Sequence, residues 1–367
     1  MKKLKDSSAE LRDFQPSIGM FNMFKGMGII GVVIFHTTSS FSLVQPSGNI
    51  NVFTKLLMVL FVICASALMP AFFVASGYGF RPQNIKGIKN KVTKILFPYS
   101  IMAIVTVILH FLLHYGMFHN LMGTVRESIK VMVGFILGLS SNMEIAGTIF
   151  YSCGIGWYLI SLIGVIILLN EIIQFAKNKT WIVVLICTMA GVLLGKYKIF
   201  LFCIPQILTG VFFFYEGYLI KKHKVLYRKW KWSWSLLFAI CTGILVMGVL
   251  YCGKLDNVAD GVWNFSLLSV VVDGILAFLC LYIILIFNRF NNPIFSLLKN
   301  IGSKSLFIFC IHSVEMKAIP WYIFSDKWTG NPIIGCALLV AMRCVVIFVF
   351  YQIFIFINKN IWRKIVK

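Results

Sequence analysis

The stretch FNMFKGMGIIGVVIFHTTSSF, residues 21–41, decides the class of this chain. It is long and apolar enough to cross a bilayer as a helix, which takes about 20 such residues. Yet it carries Lys25 and His36, and the hydroxyl run Thr37, Thr38, Ser39 and Ser40 follows the histidine directly. At about 100° and 1.5 Å per residue, the two side chains fall within roughly 20° of each other on a helix and about 16 Å apart along it. A charge at the bilayer centre costs about 2.5–3.5 kcal/mol on insertion scales. Two such groups on one stripe therefore point to a cavity or a partner rather than to lipid.

The rest of the chain is built in the same way. Hydrophobic residues make up 59% of its 367, and mean hydropathy is +0.89. A soluble core needs less apolar surface than this, whereas repeated spans account for it. The formal charge of +22 would suit nucleic acid. However, Lys and Arg form short clusters between apolar runs rather than one patch, so no nucleic acid is expected. Ten cysteines are scattered through the apolar text without CxxC or Cys/His zinc spacing. They read as small buried hydrophobes, and no metal is expected. The basic start, MKKLKDSSAELRDFQPS, is too long and polar for the n-region of a cleaved signal peptide, so the first apolar run is kept as a span.

Ten spans are placed, at about 23–43, 55–80, 95–114, 154–175, 180–196, 199–220, 233–252, 264–287, 304–320 and 332–357. With the N-terminus cytoplasmic, the inner segments hold 24 lysines and arginines and the outer segments eight. This bias predicts an even number of crossings with both termini inside. Trp230, Trp232 and Trp234 fit an inner aromatic belt, and Trp263, Trp321 and Trp328 an outer one. The piece 129–139 is apolar but too short to cross, so it reads as re-entrant or interfacial. No repeat, linker or second soluble domain is legible. The expectation is an all-α integral membrane protein: one transmembrane domain over 1–367, a bundle of about ten helices.

The candidates among the charged groups inside spans are Lys25, His36, Glu171, Glu216, Asp273, His312, Glu315 and Arg343. Glu171 and Glu216 read as interfacial partners of nearby lysines, and Asp273 and Arg343 as a pair across helices. His110, His114 and His119 read as interfacial. An imidazole can take a proton from a hydroxyl and return it to a leaving group, which suits His36. A lysine at one mouth of the helix suits a phosphate-bearing ligand, which suits Lys25.

These residues carry a resemblance. The run from Asn22 to His36 resembles the first helix of the acyltransferase 3 family, membrane enzymes that acylate extracytoplasmic glycans. The family hallmark is a basic residue, ten residues, then His; Lys25 and His36 match it. Asn22 stands where the family often has an acid. MPAFFVASGYGF (69–80) resembles the family's Phe-Phe-x-x-Ser-Gly-Tyr run. KNKVTKILFPY (89–99) resembles its basic loop and the Pro-Tyr start of its third helix, with Lys91 and Lys94 in place of two arginines. GWYLISL (156–162) is similar to the signature opening the fourth helix, and IGSKSLFIFCIH (301–312) to a late Gly-x-x-Ser-Leu helix ending in His.

The resemblance implies an acyltransferase of the cell membrane. The donor would be acetyl-CoA or a related acyl-CoA, held on the cytoplasmic side by Lys25, Arg81, Lys91 and Lys94. The acceptor would be a cell-surface glycan or glycolipid hydroxyl arriving from outside. His36 would be the general base, or would first take the acyl group itself. Trp157 is expected either to stack on a sugar or to anchor an aromatic belt. His312 and Glu315 would line the cavity or form a structural pair. The family is known with extra extracytoplasmic domains, and none is expected here. A lysine-rich, Phe- and Ile-rich composition suits a bacterial source. Two other readings compete: a transporter or exporter of a polysaccharide or small polar solute, which shows no inverted repeat, and the unrelated membrane-bound O-acyltransferases, whose histidine lies in a later helix.

Overall fold

In the computed structural model, which describes residues 16–38, 52–290, 292–325 and 332–357, the opening stretch is one unbroken helix, α1 (Ile18–Thr38). Ser17 Oγ caps it, accepting from the Met20 N–H at 3.1 Å. At the far end the Thr37 and Thr38 hydroxyls donate back to the Val33 and Phe35 carbonyls, at 2.8 and 2.9 Å. The predicted hydroxyls of Ser39 and Ser40 lie outside the described residues.

The helices that follow are α2 (Val52–Gly79), α3 (Ile85–Phe118), α4 (Leu121–Ile136), α5 (Trp157–Ala176), α6 (Thr180–Lys196), α7 (Ile204–Lys222), α8 (Trp232–Cys252), α9 (Leu267–Phe287), α10 (Pro293–Ser303), α11 (Ser305–Ala318), the short α12 (Tyr322–Ser325) and α13 (Pro332–Ile357). The described strands are β1 (Met143–Ile145) and β2 (Thr148–Phe150), an antiparallel hairpin. Among the described residues, eight helices are long and apolar enough to cross a membrane, or nine with the bent pair α10–α11 as one span. One of the eight, 154–196, is itself broken at Lys177, whose φ is 44°, into α5 and α6. An all-α membrane bundle follows.

Two expectations change, and a third gains detail. The basic stretch 89–94 is not a loop. Helix α3 already begins at Ile85, where Asn84 Oδ1 accepts from the Gly87 N–H at 3.0 Å, and it runs through Pro98. Its 34 residues extend about 51 Å against a hydrocarbon core of about 30 Å, so its basic first turns reach past the lipid. The predicted span 304–320 is the second arm of a helix bent by 73° at Lys304. At 14 residues, α11 is about 21 Å long and too short to cross alone. The apolar piece 129–139, expected to be re-entrant or interfacial, falls mostly in α4, which at 16 residues is too short to cross alone and buries Val131 and Phe135. Thr124 and Ser128 of this helix are also buried, while Leu121, Met122, Ile129 and Ile136 are exposed. That face suits lipid contact.

Close helix contacts fix the position of α1. A Cβ added to Gly26 would lie 2.1 Å from the Leu298 carbonyl oxygen, and one added to Gly302 would lie 1.7 Å from that of Asn22. Helices α1 and α10 therefore touch backbone to backbone, as small residues permit in membranes. Gly302→Val is expected to push them apart and destabilise the fold by about 3 kcal/mol or more, beyond ordinary overpacking because the obstacle is backbone. The check is the fraction of folded protein recovered from membranes, and normal recovery would contradict the crossing.

Candidate active site

Helix α1 presents Lys25 and His36 to two different cavities. Lys25 lines one of about 440 Å³, with Phe21, Phe72, Ser76, Tyr78 and Tyr158. His36 lines another of about 380 Å³, with Trp157, Asp256, Asn257, Asp260 and Lys317. Phe309 lines both. Its ring meets that of Tyr158 edge-on at 5.9 Å, and Tyr158 shares a 3.3 Å hydrogen bond with Ser76. The Tyr158–Phe309 pair thus stands between the two chambers. The rise along α1 separates the groups that face them by about 16 Å.

The other predicted cations do not share one pocket. Lys91 reaches the Arg81 carbonyl at 3.4 Å and lies 4.9 Å over the Phe80 ring. Lys91 and Lys94 line a separate groove near Gln83 and Asn84. Lys221, which sequence reasoning treated only as a topogenic charge, lies 5.8 Å over Tyr78, itself a wall of the Lys25 cavity. Lys25, Lys221, Arg81 and Lys91 thus ring one end of the bundle, with Lys94 at its edge.

Near His36 the geometry is tighter. Its ring lies 5.9 Å from that of His312. His312 Nδ1 and Glu315 Oε1 are 2.6 Å apart, with both side chains fully buried. Trp321 Nε1–H donates to Glu315 Oε2, and Arg343 Nε lies 4.0 Å from the same oxygen. This contact engages Nδ1 of His312 and orients the ring, leaving Nε2 as its other polar atom. That Nε2 has no hydrogen-bond partner among the described residues.

Several expectations are corrected here. Arg343 faces Glu315 rather than Asp273, and Asp273 is buried with Oδ1 unpaired among the described residues. Glu216 is no interfacial partner of a lysine: its Oε2 packs against Gly274 of α9 and has no hydrogen bond among the described residues. Trp157, Trp263 and Trp321 are buried within the protein rather than forming a belt, and Trp328 lies outside the described residues. Trp157 remains a candidate stacking surface, because it is a wall of the His36 cavity.

Sequence reasoning also missed residues. Lys317, read as an outer-loop charge, reaches into the His36 cavity and donates to Ser152 Oγ at 3.0 Å. The turn 256–260 closes the same cavity. It is tied to α7 by Gln206 Nε2 donating to the Ala259 carbonyl at 2.7 Å. Burial pushes the Asp256 carboxyl up from its usual range, against the Asn264 N–H that holds it down. His110 and His114 are not merely interfacial: with Tyr151, Lys317 and Arg343 they line a third cavity of about 470 Å³. Their Nδ1 atoms pair with Ser128 and Thr124 of α4 at 3.3 and 2.9 Å. The i,i+4 spacing of these histidines was the one available signal.

No curated protein and no solved structure matches the chain. A family model does. The acyltransferase 3 model, described as an acyltransferase domain, matches residues 19–356, which takes in α1 with Lys25 and His36 as well as α11 with His312 and Glu315. The chain therefore belongs to the acyltransferase 3 family and is a membrane-embedded acyltransferase.

Proposed function

We propose that this protein moves an acyl group from cytoplasmic acyl-CoA, with acetyl-CoA as the first donor to test, to a hydroxyl of an extracytoplasmic glycan or other surface acceptor. The observation that carries this reading is that one helix gives Lys25 to one chamber and His36 to another, with Phe309 a wall of both. The three-to-one bias of basic residues supports a cytoplasmic position for the Lys25 end.

In this reading the donor's phosphates meet Lys25 and Lys221 at the inner mouth, with Arg81, Lys91 and Lys94 raising the local positive potential. The pantetheine arm passes Tyr158 and Phe309 and delivers the thioester carbonyl to the His36 chamber. The acceptor hydroxyl enters from the opposite side, where Trp157 offers a face for a sugar ring. The imidazole of His36 takes the hydroxyl proton as the oxygen attacks the carbonyl carbon. The C–O bond forms, the C–S bond breaks, and the proton goes on to the coenzyme A sulfur. The variant route, acyl transfer to the imidazole first, uses the same groups. The His312–Glu315 pair supplies a second oriented imidazole beside the first.

Lys25→Ala is expected to weaken coenzyme A binding by about tenfold or more, the size of a charge-assisted contact to phosphate. Calorimetric titration of the purified protein with coenzyme A reads this directly. Unchanged affinity would remove Lys25 from the donor site.

A further inference from the structure

Beside the His36 chamber lies the third cavity, lined by His110, His114, Tyr151, Lys317 and Arg343. We propose that it is an anion subsite for the acceptor, holding a phosphate or carboxylate carried next to the hydroxyl that is acylated. The proposal rests on the acyl-transfer reading above and adds a chemical class of acceptor to it.

Three observations carry it. No carboxylate lines the cavity, whereas a lysine, an arginine and two imidazoles do. The carboxylates nearby are already engaged. Glu127 gives one oxygen to Lys130 and the other to Tyr151, at 2.7 and 2.6 Å, and Glu315 is held by His312 and Trp321. Second, Arg343 is held short of partners. Its side chain is 4% exposed, its ion pair with Glu315 spans 4.0 Å, and its Nε and Nη1 make no hydrogen bond among the described residues. A buried guanidinium with open donors is costly unless an acceptor fills them, and an oxyanion does so with geometry to match. Third, Met316 and Lys317 line both this cavity and the His36 chamber. One ligand therefore reaches both, its anion at Lys317 and Arg343 and its hydroxyl at His36.

The test uses three small probes that share hydroxyls and differ in charge: glycerol, glycerol 1-phosphate and glycerate. The full chain is purified in maltoside micelles free of phospholipid, and probe affinities are read by ligand-observed NMR. The two charged probes are expected to bind about tenfold or more tightly than glycerol, as charge-assisted hydrogen bonds imply. Lys317→Gln reduces that preference to about threefold or less, and Lys317→Arg restores it. The exposed Lys196→Gln leaves it unchanged. Coenzyme A affinity is the same in all of these proteins, which shows that each is folded with its donor site intact. Equal binding of the three probes to the wild-type protein overturns the subsite. So does a preference that survives in both Lys317→Gln and Arg343→Gln. A second arm uses nanodiscs of phosphatidylglycerol. A preference present in micelles and lost in these discs assigns the cavity to a lipid headgroup and overturns the acceptor reading. If the charge preference holds but no probe accepts an acetyl group from acetyl-CoA, the subsite stands and the donor assignment falls. If glycerol is acetylated as well as the charged probes, the reverse holds.

Discussion

His36→Ala is expected to lower acyl transfer by about 10²–10⁴-fold, the usual contribution of a positioned general base, with a normal amount of protein in the membrane. The two halves of that expectation have separate causes. The ring lines a chamber and touches Phe35 and His312 at centroid distances of 5.6 and 5.9 Å. Removing it enlarges a cavity that already exists, so the packing cost is small. The chemistry loses the group that accepts the hydroxyl proton. Mass spectrometry of surface glycans, with and without the variant, reads the transfer, and an immunoblot of the membrane fraction reads abundance. Full acylation at normal abundance would move the chemistry off this ring. The adjacent His312 is the next candidate, because its Nε2 has no hydrogen-bond partner among the described residues.

Glu315→Ala is expected to cost about 3–5 kcal/mol of stability, the range for removing one partner from a buried ionic cluster. Three buried groups depend on this carboxylate: His312 Nδ1, the Trp321 indole N–H and the Arg343 guanidinium. Without it the guanidinium is left with its stack on Trp321, at 5.2 Å, as its remaining described partner. Glu315→Gln keeps an oxygen that can accept from the indole or the imidazole, and should lose less than half as much. Thermal unfolding in detergent, followed by the loss of monodisperse protein, measures both. An unchanged midpoint for the alanine variant would show that the cluster does not hold α11 to the Trp321 turn. Activity adds a second readout, since loss of Glu315 also removes the contact that orients the His312 ring.

The class of fold was legible because the bilayer imposes one rule, that backbone polar groups be satisfied within each segment, and the apolar runs obey it. That Lys25 and His36 share one helix was legible for a similar reason: α1 is regular, and its spacing can be read from the sequence, whereas the two separate cavities they line could not. The start of α3 was missed because Pro98 suggested a boundary, while the signal that mattered was Asn84 capping Gly87. Proline is tolerated inside membrane helices, where neighbours satisfy the freed carbonyl. The bend at Lys304 was hidden because Gly302 gives no hint of the backbone it meets until α1 is placed beside it. The partners of Arg343 and Glu216 were misjudged on sequence distance, which says nothing about which helices pack together. Lys317 was missed because it was counted among the outer charges although it lies in the last turn of α11, and the 256–260 turn because it sits in a connection and enters the chamber through tertiary folding alone.

The most direct test of two chambers joined across the bilayer is transfer in sealed, oriented proteoliposomes. Radiolabelled acetyl-CoA is placed on one face and the producing cell's envelope glycan on the other. The account predicts labelled glycan when donor is on the Lys25 face and acceptor on the His36 face, and none when both share either face. Labelled glycan formed with donor and acceptor on one side of the membrane would contradict it.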